Sequence, residues 1–164
     1  VIALLFAIPS GVMSGSQDPE ARIKGASGVL HGTAESSVTK ASVLDALLEL
    51  LDVAESLTRE AQYSAEIRHR IDVAKNLFEE DSIFNAKACQ YLSFAYRMLT
   101  DGKKYERPKE LEEFVAPAEA QEKAQRVAQE LVAEALARLE EEDRVGAAKL
   151  LLELVLMVVT PVPG

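Results

Sequence analysis

Cysteine, tryptophan and histidine are nearly missing from this chain. Its 164 residues hold one cysteine (Cys89), no tryptophan and two histidines, His31 and His69. A single cysteine excludes any intrachain disulfide, so the fold rests on packing. Two histidines and one cysteine leave no zinc set and no haem attachment motif. No Gly-rich phosphate loop, nucleophile elbow or dinucleotide-binding fingerprint occurs. Aromatic residues make up only 5%, which leaves a core of Leu, Val, Ile and Ala, a composition suited to helices. Basic residues are also short, 18 against 27 acidic for a net charge of −9. That field repels nucleic acid and anionic lipid headgroups, and it favours a basic partner or a cation.

Long apolar runs are scarce as well. Leu150 to Val159 carries Glu153 within it and Lys149 beside it, and a membrane span needs about 20 largely apolar residues. The run reads as a buried helix, with an oligomer or membrane-surface contact as the alternative. The other run, Val1 to Ile8, is followed by Pro9, Gly11 and the small residues Ser14, Gly15 and Ser16. An apolar core ahead of small residues has the form of an export signal, so residues 1–16 are expected to be signal-like and the mature chain periplasmic or extracellular. The alternative is tethering by an N-terminal membrane anchor.

Residues 17–40 are rich in Gly, Ser and Thr without sustained periodicity and read as a flexible arm or linker. From Ala41 the pattern turns helical. Val43, Leu47, Leu50, Ala54, Leu57 and Ala61 step by four and three, widened by Leu44, Leu48 and Leu51. A second stripe, Ile67, Ile71, Ala74 and Phe78, lies roughly 220° around the axis from the first at about 100° per residue. The helix is therefore expected to break between Thr58 and Ser64. Glu79 to Ser82 then supply a turn and capping groups. Phe84, Ala88, Tyr91, Leu92, Ala95, Met98 and Leu99 form a third stripe, stopped by Asp101 and Gly102. After a short helical piece, Lys109 to Val115, Pro117 opens the next helix. Its stripe runs Ala120, Ala124, Val127, Ala128, Leu131, Ala135, Leu136 and Leu139. A last helix from Val145 is apolar nearly all round, as befits a helix among neighbours. Residues 161–164 read as an extended tail. The expected fold is a single all-α domain over 41–160, with four to five antiparallel helices in a bundle or stacked hairpins.

Ala137 to Pro161 resembles the second half of a tetratricopeptide repeat: a helix end, an acidic turn, Asp143 and Ala147 four apart, a Leu-rich helix and a closing proline. Leu92-Ser93-Phe94-Ala95-Tyr96 is similar to that family's first-helix signature. Aligned as repeats, the two pieces stand roughly 42 residues apart where the family has about 34, so the likeness implies a helical hairpin and not membership.

Glu66 and His69 form the one metal-like spacing, since Glu and His three apart share a helix face in di-iron bundles. Such sites need two motifs, and the stripe containing Ile67 turns His69 towards solvent between Arg68 and Arg70. Cys89 lies on a stripe flank as an inert thiol. Tyr91, Phe94, Tyr96 and Tyr105 read as core and rim, with a small-ligand groove as the alternative. The acidic surface that includes Glu130, Glu134 and Glu140 to Asp143 reads as a solvated face. No catalytic group and no cofactor is expected. The expected function is that of an exported, non-enzymatic interaction or structural module that binds a protein partner or self-associates through Leu150, Leu154, Met157 and Val158. The alternative is a metal-binding or redox bundle using Glu66 and His69.

Overall fold

A computed structural model describes residues 18–30, 40–82, 85–106 and 117–159. Among these residues every regular element is an α-helix, and six are present: α1 (Pro19–Leu30), α2 (Lys40–Leu57), α3 (Ser64–Glu80), α4 (Ala86–Leu99), α5 (Pro117–Glu140) and α6 (Arg144–Val159). Residues 1–16, His31, Phe84, the 109–115 piece and the 161–164 tail lie outside the described residues.

The six helices pack as three sequential hairpins, α1 on α2, α3 on α4 and α5 on α6. Helix α6 also packs on α2 and α4, α2 on α3, and α1 on α5. Two helices thus meet most of the others, and they are the two with the broadest apolar surfaces. In α6, Ala147, Ala148, Leu151, Leu152, Leu154, Val155, Leu156 and Val159 are all at most 1% exposed. In α2, Leu47, Leu50, Leu51, Val53, Ala54 and Leu57 are equally buried. Helix α3 buries Ile67, Ile71, Ala74 and Phe78, the four residues of its sequence stripe. The break between α2 and α3 falls at 58–63, as the 220° rotation of the stripe requires.

Two expectations are corrected. Half of the 17–40 arm is helix α1, which buries Ile23, Ala26 and Ser27. Its start carries a local signature: Asp18 accepts from the Glu20 backbone N–H at 3.2 Å through Oδ1, and Pro19 occupies the first helical position. Its apolar face is only one or two residues wide per turn, too narrow for periodicity to register. The helix is held instead by tertiary contact. Arg22 pairs with Glu49 and reaches Asp52 at 3.8 Å, both on α2. The helix count among the described residues is accordingly six, above the expected four to five.

The second correction concerns a cap. Glu79 and Glu80 belong to α3. Helix α4 is capped by Asn85, whose Oδ1 accepts from the Ala88 N–H at 2.9 Å and whose Nδ2 donates to Asp81 Oδ2 at 2.8 Å.

Candidate functional site

The sequence directs attention to the last helix, and the fold removes it from the surface. Leu150, Leu154 and Met157 are 8%, 1% and 4% exposed, and Val158 is half-buried. Helix α6 packs on α2, α4 and α5, so Leu150, Leu154 and Met157 belong to the core and Val158 packs at its edge. A helix apolar on every side and covered by its own chain offers little area to a partner.

Glu66 and His69 are both exposed on α3. Glu66 Oε2 lies 3.9 Å from Arg70 Nη1. Among the described residues no group of three His, Cys, Asp or Glu side chains is placed to hold a metal ion.

A charged cleft of ≈ 260 Å³ opens where α1, α2 and α3 meet, lined by Arg22, Asp52, Glu55, Arg59, Arg68 and Lys75, among others. Lys75 on α3 is its hub. The ammonium donates to Asp52 and, at 3.2 Å, to Glu55 on α2, and it lies 3.5 Å from Asp72 Oδ1. Burial pulls the Lys75 ammonium down, but the bonds to Asp52 and Glu55 outweigh it and hold it well above its ordinary value. Burial pushes the Glu55 carboxyl up, aided by its hydrogen bond with Asp72 and opposed by Lys75. With Arg22 bridging α1 to the same Asp52, this cluster ties three helices together on their polar side.

Two further clefts, less polar, lie along the outer face of α4. Exposed large hydrophobic side chains among the described residues are Tyr63, 58% exposed, and Phe94, 49% exposed. Both line one cleft of ≈ 500 Å³, with Gln62, Glu66, Arg97 and Met98. Phe94 and Arg97 also line a second cleft of ≈ 400 Å³, with Cys89, Gln90, Lys104 and Tyr105. The two clefts adjoin at Phe94 and Arg97, which line both, and together they form the α4 groove.

Local structure explains why these side chains stand out. Phe94 sits two residues from buried Leu92 and Tyr96, on the opposite face of α4. Tyr63 holds a left-handed backbone, φ 63°, at the start of α3 and makes no side-chain cap, which aims the ring outward at a cost in strain. Beside it, Ser64 Oγ is buried without a hydrogen-bond partner. Arg97 Nε donates to the Gly102 carbonyl at 3.0 Å, where Gly102 takes φ 81° to leave the helix.

The aromatic cluster expected from Tyr91, Phe94, Tyr96 and Tyr105 therefore divides. Tyr96 is core: its ring meets Tyr105 edge-on at 5.7 Å, and its hydroxyl donates to Glu153. Phe94 is surface. Cys89 is half-buried, its Sγ 3.8 Å from the Val159 carbonyl, and burial pushes the thiol up, which lowers its thiolate fraction. Tyr63, Arg97 and Lys104 were not singled out by sequence. Phe94 was, but a left-handed residue without Gly or Asn has no sequence mark.

Compared with known proteins, the chain matches no family model, no curated protein and no solved structure.

Proposed function

We propose that this chain is a non-enzymatic, all-helical interaction module whose contact surface for a protein partner is the α4 face, centred on Phe94. The observation that carries this reading is the convergence of Tyr63 and Phe94 on one cleft, 58% and 49% exposed in a chain with few aromatics. Exposed aromatics beside an arginine are the composition of binding hot spots, because a ring brings large contact area with few rotamers to freeze. Placing such a side chain in a groove also lets a partner desolvate it fully. Helices α2 and α6 then serve as the rigid frame that holds α3 and α4 in register.

Export is part of the proposal, supported by the apolar run and small residues of the 1–16 segment. Amino-terminal sequencing of the protein from its full reading frame tests it: cleavage after Ser14 or Ser16 is expected, and an intact Val1 in a cytosolic fraction contradicts it.

The surface itself is tested by placing a photo-cross-linking amino acid at position 94 and, as control, at Ala133 on the exposed side of α5. A discrete protein adduct from position 94 alone is expected in the native host. Equal labelling from both positions, or none from 94, refutes the assignment.

A further inference from the structure

Resting on the α4 reading above, we infer that the groove recognises a protein segment in which an apolar anchor stands beside carboxylates. Net charge alone favours a basic partner, but the charge facing this groove has the opposite sign. Helix α4 has no Asp or Glu along Ala86–Leu99. The charged side chains lining the two clefts are Arg97, Lys104 and Glu66, two cations against one carboxylate in a chain of net charge −9.

The cations are also available. Arg97 spends Nε on the Gly102 carbonyl, a bond that orients the guanidinium without neutralising it. Among the described residues neither Arg97 nor Lys104 forms an ion pair, whereas Lys75, Arg22 and Arg138 each do. An oriented guanidinium next to an apolar ridge suits a carboxylate approaching with a hydrophobic neighbour: the ring takes the apolar side chain and the planar fork takes the acid. A basic segment would meet Arg97 and Lys104 with like charge. A nucleic-acid strand needs more phosphate contacts than two cations supply, against the repulsion of the whole chain.

The experiment is selection of short random peptides on the full chain, repeated on Phe94→Ser and on Arg97→Glu/Lys104→Glu. All three sites are exposed, so folding is expected to survive, and helical circular dichroism checks it. Wild type should enrich peptides that combine Asp or Glu with an aromatic or large aliphatic residue. Their affinity should fall about tenfold or more on Phe94→Ser, and the charge-reversed variant should enrich Lys- or Arg-bearing peptides instead.

If wild type enriches uncharged or basic peptides that Phe94→Ser loses, the α4 surface stands and the acidic inference falls. If nothing is enriched, or if enrichment ignores Phe94→Ser, both fall. Concentration-dependent sedimentation abolished by the charge reversal makes a second copy the occupant and overturns the inference of a foreign segment.

Discussion

Tyr96 Oη donates a 2.5 Å hydrogen bond to Glu153 Oε1, joining α4 to α6. Glu153 is the charge that interrupts the most apolar helix of the chain, and Tyr96 is only 7% exposed. Lys149 Nζ, one helical turn earlier, lies 6.0 Å from the centre of the Tyr96 ring. The phenol thus supplies the proton that lets a carboxylate sit against the core.

Tyr96→Phe should therefore cost about 1–3 kcal/mol, the range for a hydrogen bond to a charged group whose partner is left desolvated. The same bond makes stability fall in alkali. Burial and the Glu153 carboxylate raise the Tyr96 hydroxyl well above its ordinary value near 10. A raised value means that its contribution is fully present below about pH 10 and lost as pH climbs towards the folded value. Ultraviolet titration should show a late-ionising tyrosine, and Tyr96→Phe should remove that late step.

Lys75→Met leaves Asp52, Glu55 and Asp72 without their shared counter-charge. At neutral pH the expected loss is about 2 kcal/mol, below the ~3–5 of a fully buried pair because these side chains keep some exposure to water. The loss should shrink in acid. Glu55 already titrates above its ordinary value, so the stability linked to its protonated form is present below about pH 4.5 and lost as pH rises through the folded value. Without Lys75 that value moves higher still. Urea midpoints at about pH 4 and about pH 7 should show the wild-type-to-variant gap widening with pH; an equal gap refutes the shared role.

The α5–α6 joint predicts a pair of opposite effects. The Asp143 N–H donates to the Arg138 carbonyl at 2.8 Å and the Glu142 N–H to the Leu139 carbonyl at 3.0 Å, with Glu142 at φ 62°. This is a Schellman ending with glutamate where glycine is usual. Glu142→Gly should stabilise by about 0.5–1 kcal/mol. Gly146→Ala should destabilise: a Cβ there would lie 2.7 Å from Asp143 Cγ, whose carboxylate caps α6 by accepting from the Gly146 N–H at 3.0 Å. Losing that cap costs up to about 2 kcal/mol, which outweighs the roughly 0.5–1 kcal/mol that alanine gains over glycine within a helix. Thermal melts of the two variants should move in opposite directions.

Leu154→Ala separates core from interface on α6. At 1% exposure the truncation should cost about 2.5–5 kcal/mol in denaturant unfolding while leaving the sedimentation of the folded protein unchanged. A shift in oligomeric state with little loss of stability would return α6 to the surface.

Periodicity alone determined much of this architecture. The stripes of α2 to α5, the break at 58–63 and the solvent-facing direction of His69 all follow from helical geometry, because an amphipathic helix buries the face its sequence marks. Three things needed the tertiary structure. Helix α1 has too few apolar side chains to declare itself, and α2 supplies the carboxylates that anchor Arg22. Helix α6 has no marked face, so whether Leu150, Leu154 and Met157 met solvent or protein depended on how many neighbours surrounded it. The groove depended most on the third dimension: Tyr63 and Phe94 belong to different segments, and a left-handed turn with the α3–α4 hairpin brings them to one cleft. Net charge is a sum over the whole chain, whereas a partner meets only the charges that the fold turns towards it.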